Sequence, residues 1–393
     1  MASMMATSMP TTNNNNNNNN ISNVTSTEND DGDTTAATAY FQNHETIEIT
    51  DLDERKCIFH LYSSNLYNNE NRLLECPIFV FIHGGGFSAM TFAQVAKICA
   101  GNNMPILAFD LYGHGNFEYV SNSTNTDDVN DNNTFKCPNL KEENFSIERF
   151  TDDVVKILTM TLTKEKLNLT TDDAIPRIVL IGHSMGGAIA THVTCQAQER
   201  LNNIVEICGL VVVDVVEGTA LAALPSMEKF VEKIPKEFKT LEDGIKYVCN
   251  TMLQRINPTS YNTIKASVCS RLQFIEGKNV YRWRTDLINT MPYWSGWYKG
   301  MSNYFLGTGN KLKKLLIVAG MDRLDTPLTI GHMQGKFQYK NIPNSGHVIH
   351  EENPNVFYEL LIDFCKVQGL FTSSKEALDL KIQHAWTNEE SNN

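Results

Sequence analysis

No stretch of this 393-residue chain is long and apolar enough to cross a bilayer. The N-terminus also lacks a charged start followed by an apolar core, which argues against a secretory signal. Positive charge is scarce: 33 Lys and Arg stand against 45 Asp and Glu, for a net charge of −12. Nucleic acids and anionic membranes both demand a basic face, so neither is expected as a partner. The nine cysteines include no C-x-x-C pair and are odd in number, which speaks against a disulfide framework. Several sit inside apolar runs and read as buried, reduced thiols, so the expected location is the cytoplasm or nucleus.

Asparagine, by contrast, is plentiful. Residues 1–39 are low in complexity and carry an unbroken tract from Asn13 to Asn20. Such a segment cannot bury enough apolar surface to offset its ordering entropy, so it is predicted to be a disordered leader. Beyond it, residues 45–50 alternate like a half-exposed strand, and 56–62 can pair with them antiparallel. Residues 78–82, 105–110, 177–181, 210–214 and 314–319 are continuous apolar runs, the pattern of strands buried on both faces. Helical spacing recurs between them, at 92–99, 145–162 and 355–367. Alternating strands and helices predict a mainly parallel sheet with helices on both faces and a site at the strands' carboxyl ends. The core is assigned to 40–216 and 310–371, with a polar surface insertion at 117–144. Over 217–309 the buried-strand pattern gives way to amphipathic helical stretches and an aromatic cluster, predicted to be a cap. Residues 372–393 form a polar tail.

The chemistry centres on Ser184. Gly182, Ser184 and Gly186 fit G-x-S-x-G, and a buried strand precedes them while a small-residue helix follows. That context is the nucleophile elbow, a turn that lifts a serine hydroxyl above a sheet. A serine hydroxyl is a poor nucleophile at neutral pH and needs a base and an acid to orient it. His347 lies after the last strand and before the last helix, where the base belongs in this chain order. His350 is its rival, but it opens the run into Glu351 and Glu352, which reads as a solvated helix start. A metal pair from His347 and His350 lacks a third ligand at recognisable spacing, so neither a metal nor a cofactor is expected. Architecture alone places the acid after the later strand, at Asp322 or Asp325; Asp214, which ends the strand after the elbow, is the alternative. Asp322 and Asp325 could equally cap the loop and helix they precede. An oxyanion needs preorganised donors. The Met185 N–H supplies one, and the His83-Gly84-Gly85-Gly86 loop, through Gly85 and Gly86, fits the type that supplies another. No Gly-Lys-Ser/Thr follows that glycine run, which argues against a phosphate loop. His83 and His114 read as structural hydrogen bonders, and His183 and His192 as packing residues.

Six stretches resemble the protein phosphatase methylesterases, a family of serine α/β-hydrolases. They are HGGGFSA from His83, LIGHSMGGAIATHV from Leu180, VVVDVVEGTALAAL from Val211, YWSGWYKGMSNYFL from Tyr293, AGMDRLDTPLTIGHMQGKFQ from Ala319 and GHVIHEENP from Gly346. The resemblance implies the α/β-hydrolase fold and a triad of Ser184, Asp214 and His347, which moves the expected acid to Asp214. It also implies a substrate, the methyl ester on the C-terminal leucine of the protein phosphatase 2A catalytic subunit, with that subunit as partner. On this reading Trp294 and Trp297 either shape a channel for the phosphatase tail or pack inside the cap. A small-molecule esterase of the same fold and a non-catalytic phosphatase-binding inhibitor are the competing expectations.

Overall fold

The computed structural model describes residues 37–52, 54–67, 70–119, 144–170, 175–196, 198–251, 253, 261–309, 311–320, 324–343 and 345–372. Nearly all of the expected leader, most of the insertion and the tail beyond residue 372 lie outside the described residues.

Strand β1 (Asn43–Thr50) turns Ile47 and Ile49 inward and Glu48 and Thr50 outward, as its alternating sequence requires. It pairs antiparallel with β2 (Lys56–Ser64), and Asp51 and Arg55 close the hairpin with the Asp51 N–H on the Arg55 carbonyl at 2.8 Å. The remaining strands of the main sheet are β3 (Ile78–Ile82), β4 (Ile106–Phe109), β5 (Glu118–Tyr119), β6 (Arg177–His183), β7 (Glu206–Val213), β11 (Lys313–Ala319) and β12 (Gln338–Ile342). Their order is β1-β2-β4-β3-β6-β7-β11-β12, with β5 pairing against β2. From β4 to β12 every neighbouring pair is parallel. The chain therefore has the mainly parallel, helix-flanked sheet of the α/β class.

The continuous apolar runs serve two cores at once, because successive side chains leave a strand on opposite faces. Ile78, Val80, Leu180, Val212 and Leu316 face one cluster with Phe150, Val154 and Ile157 of helix Ile147–Thr161. Phe79, Phe81, Ile181, Val211 and Ile317 face the other, with helices Ala93–Gly101 and Pro354–Val367. Among the described residues no helix is long and apolar enough to cross a membrane.

Segment 217–309 departs from its sequence reading. Helices Glu217–Val231, Leu241–Thr251 and Tyr261–Cys269 are joined by a small antiparallel sheet, β8 (Glu237–Phe238), β10 (Val280–Trp283) and β9 (Leu272–Ile275), in that order. These strands run two to four residues and stay partly exposed, too short for periodicity to reveal. A satellite core of Phe238, Ile245, Val248, Ile264, Val268 and Leu272 also takes in Phe87 and Val348. The segment is thereby fastened to the loop after β3 and the loop after β12.

One buried ionic cluster fastens the β1–β2 hairpin to the body. Arg149 is completely buried, with Nη1 2.8 Å from Asp51 Oδ2, Nε 2.7 Å from Asp153 Oδ2, and its guanidinium 3.7 Å from the centre of the Tyr112 ring. Burial pushes the Asp153 carboxyl up to about 7, and the neighbouring guanidinium pulls it back. Replacing Arg149 by alanine strands two buried carboxylates, and denaturant unfolding should show a loss of about 3–5 kcal/mol.

Candidate active site

Strand β6 ends at His183, helix Met185–Gln196 begins at once, and Ser184 between them holds a φ of 53°. Left-handed backbone at a non-glycine residue is costly and persists only where surroundings enforce it. Here the enforcement is close backbone packing. A Cβ on Gly182 would stand 2.1 Å from the Gly186 carbonyl oxygen, and one on Gly186 would stand 2.2 Å from that of Ile82. The Ser184 N–H donates to Val213 O at 2.9 Å, which places the serine next to the end of β7.

Asp214 follows β7 with a φ of 52° and is held on three sides. Its N–H donates to Ile317 O at 2.7 Å, Oδ1 accepts from the Ala319 N–H at 2.7 Å, and Oδ2 lies 2.6 Å from His347 Nδ1. That last contact selects Asp214 as the carboxylate beside the imidazole. Asp325 is occupied elsewhere: it caps helix Thr326–Met333 through the Leu328 N–H at 3.0 Å and accepts from Ser302 Oγ at 2.6 Å. Asp322 lies outside the described residues.

The loop carrying His347 is held by two carboxylates that the sequence reading placed in solvent. Glu351, Glu352 and His350 are all buried. Glu352 Oε2 accepts from the Gly346 N–H at 2.6 Å. Glu351 Oε1 accepts from Thr91 Oγ1 at 2.6 Å and from Ser267 Oγ at 2.5 Å. His350 Nε2 lies 3.0 Å from Thr91 Oγ1, and its ring stacks on Phe92. His350 therefore belongs to the interior on the far side of the loop. A run of His-Glu-Glu looks polar in sequence, and only its tertiary partners show that it is buried.

Three further histidines are hydrogen-bonded to backbone groups within the fold. His83 Nδ1 meets Gly84 O at 2.8 Å while Nε2 accepts from the Leu111 N–H at 3.0 Å, and His114 Nδ1 meets Tyr112 O at 2.8 Å. His183 Nε2 lies 2.9 Å from the His347 carbonyl oxygen, and the two rings are 4.6 Å apart. Burial pushes the His347 imidazole well below its ordinary value and the Asp214 carboxyl up to about 6, the latter pulled back by the Ala319 amide. Burial thus favours the uncharged imidazole, the form a base must have.

Among the described residues no hydrogen bond joins the Ser184 side chain to His347, and the buried Tyr298 phenol lies nearby. Tyr298 escaped the sequence reading as anything but one aromatic in a cluster. Glu217 escaped it as well: its carboxylate accepts from the Gly300 N–H at 2.7 Å and the Ser302 N–H at 2.8 Å, capping helix Met301–Gly307. Gly85, Gly86 and His347 line a cavity of about 550 Å³, walled further by Phe230, Ile234, Trp283 and Leu287. Met185 is fully buried at the start of the elbow helix. Ser184, Met185, Trp294 and Trp297 are outside the cavity lining. Both indoles are buried, with N–H groups donating to Thr290 Oγ1 at 2.8 Å and Phe145 O at 2.7 Å. No cluster of three or more metal-ligating side chains occurs among the described residues.

The Alpha/beta hydrolase family profile matches residues 79–360. Among curated proteins, protein phosphatase methylesterase 1 of Bos taurus is 32% identical, with 83% of this chain and 84% of that protein covered. The protein of the same name from Schizosaccharomyces pombe is 35% identical over 73% of this chain and 74% of its own length. Among solved structures, E-2-(acetamidomethylene)succinate hydrolase superposes with a TM-score of 0.58 at 13% identity, covering 82% of this chain and all 100% of that one. A peroxisomal alpha-beta-hydrolase of Saccharomyces cerevisiae gives 0.55 at 17% identity, with 84% and 89% covered, and both likenesses speak to the fold alone. The strained serine at a strand-to-helix turn and the sustained similarity in sequence together show that this chain is a hydrolase of the Alpha/beta hydrolase family and belongs, within it, to the protein phosphatase methylesterases.

Proposed function

We propose that the protein removes the methyl ester from the C-terminal leucine of the protein phosphatase 2A catalytic subunit, through an acyl-enzyme on Ser184. The observation that carries this reading is the 2.6 Å contact of Asp214 with His347 Nδ1 beside the elbow serine. It leaves Nε2 as the imidazole nitrogen that takes the serine proton. The name of the relatives, protein phosphatase methylesterase, supports a phosphatase methyl ester as the substrate class.

In this mechanism the Ser184 hydroxyl turns to His347 Nε2 and attacks the ester carbonyl. Such catalytic hydrogen bonds commonly tighten only once substrate is bound. His347 takes the proton, and Asp214 orients the imidazole and stabilises its charged form. The Met185 N–H receives the oxyanion from the helix side. On the loop side the Phe87 N–H is already committed to Gly84 O at 3.2 Å, which leaves the amides of Gly85 and Gly86 as donors. His347 returns its proton to the leaving methanol, and water then repeats the sequence on the acyl-enzyme.

Intact methylated phosphatase incubated with wild type and with Ser184→Ala tests the reading directly. The variant should lose on the order of 10⁶ in kcat, because members of such a triad act as a unit. Hydrolysis of small activated esters alone would point to the small-molecule esterase. A protein that binds the phosphatase but resists a serine-reactive fluorophosphonate would be the inhibitor. For the acid, Asp214→Asn should cost about 10⁴ in kcat, whereas Asp325→Asn should leave it within about tenfold, since that side chain is a helix cap. The pH profile gives a further check. Protonation of His347 removes the base, and burial lowers that protonation, so kcat/KM should fall with decreasing pH around a midpoint below 6.5; a midpoint above 6.5 would contradict it.

A further inference from the structure

His183 closes strand β6 immediately before Ser184, and its side chain reaches the loop that carries the base. Its Nε2 lies 2.9 Å from the His347 carbonyl oxygen. A carbonyl only accepts, so Nε2 carries the ring proton and donates it. In the sheet β7 and β11 stand between β6 and β12, so this hydrogen bond ties the ends of two strands that are not neighbours. The ring has little freedom. Phe87 stands edge-on to it at 5.5 Å, His350 edge-on at 4.7 Å, and the His347 ring is 4.6 Å away. Its Nδ1 is 3.0 Å from where a Cβ on Gly84 would be. That nitrogen is buried with no hydrogen-bond partner among the described residues, so a second ring proton would find no acceptor there. Burial, and the His347 ring beside it, also hold the His183 imidazole well below its ordinary value. Packing and solvation both favour a rigid, uncharged donor.

Three hydrogen bonds fix the base, and they do different work. Asp214 Oδ2 holds the His347 ring through Nδ1 at 2.6 Å, and Glu352 Oε2 holds the loop through the Gly346 N–H at 2.6 Å. Neither reaches the strand that carries the nucleophile. The bond from His183 does, because His183 and Ser184 are adjacent and the Ser184 N–H is itself anchored on Val213 O at 2.9 Å. We propose that His183 is a positioning residue: its Nε2–H, clamped on the His347 carbonyl, sets the separation between the Ser184 hydroxyl and the imidazole Nε2. The inference rests on the reading of Ser184 as nucleophile and His347 as its base. A misplacement of about 1 Å at such a pair costs roughly 10² in rate. The resting serine makes no hydrogen bond to His347 by which the two could align themselves, so the alignment comes from the scaffold. Neutrality matters as well. A cationic donor in place of the ring 4.6 Å from His347 would disfavour the imidazolium that forms when the serine proton is taken.

His183→Gln keeps an N–H donor at about the same reach, whereas His183→Phe keeps a ring and loses the donor. With a C-terminal leucine methyl-ester peptide as substrate, His183→Phe should lose about 10²-fold in kcat while KM stays within about threefold. His183→Gln should stay within about tenfold of wild type. Titration with a serine-reactive fluorophosphonate supplies the readout that a merely structural role would not move. Its end point counts folded sites, so kcat is expressed per reactive serine. Its rate reports how well His347 activates Ser184, and it should fall in step with kcat. If His183→Phe does not fold, His183→Met takes its place, a flexible side chain that fills the space without a donor. A donorless variant whose kcat and labelling rate per site stay within about threefold of wild type overturns the proposal. So does a Gln variant as impaired as the donorless one. Wild type and Ser184→Ala run alongside separate the two readings. Wild type inactive on the ester, or Ser184→Ala active on it, sinks the methylesterase reading itself. Wild type active, Ser184→Ala dead and His183→Phe normal removes only the role of His183.

Discussion

The contact between His347 Nδ1 and Asp214 Oδ2 joins residues 133 positions apart in sequence, and most of the fold exists to make it possible. Asp214 is fixed because β7 lies parallel to β11, which supplies both the carbonyl of Ile317 and the amide of Ala319. His347 arrives because β12 lies parallel to β11 on the other side and ends in the loop that carries it. An isolated carboxylate at this depth would be costly, and so would an isolated imidazolium. Together, with the Ala319 amide on the second oxygen, the pair is satisfied, and Nε2 is the imidazole nitrogen left over.

The His347 loop is also where segment 217–309 meets the sheet domain. Glu351 accepts from Thr91, in the turn that follows β3, and from Ser267, on helix Tyr261–Cys269. Val348 and Phe87 extend the same junction into the satellite core. Arg271, one turn beyond Ser267, holds its guanidinium 4.7 Å from the centre of the Phe87 ring and lines the cavity. The wall of the cleft and the seat of the imidazole thus share one set of hydrogen bonds and packed rings. A displacement of either is felt by the other.

Those parts of the molecule whose signals are local were legible in the sequence. The elbow reads directly, because glycine at 182 and 186 and a buried strand before Ser184 together specify a tight strand-to-helix turn. The central strands read as apolar runs because both their faces are covered. Asp214 against Asp325 was undecidable by pattern, since both follow strands, and what separates them is tertiary: Asp325 turns to its own helix and to Ser302, while Asp214 turns to His347. Resemblance to a family, not periodicity, favoured Asp214. His350, Glu351 and Glu352 misled for a related reason, as polarity in sequence says nothing about partners far along the chain. Strands β8, β9 and β10 were missed because four partly buried residues give no period to detect.

The crowding around the elbow has a consequence for how such a protein can diversify. With Gly182 and Gly186 pressed against neighbouring carbonyls, side chains at those two positions have nowhere to go. Asp214 and His347 are committed to each other. Much of the cleft wall, however, is made by residues 230–237 and 271–288, which hang from short strands and loops outside the main sheet. What the cleft admits can therefore drift through those outer residues, while the chemistry beneath is locked by its own backbone.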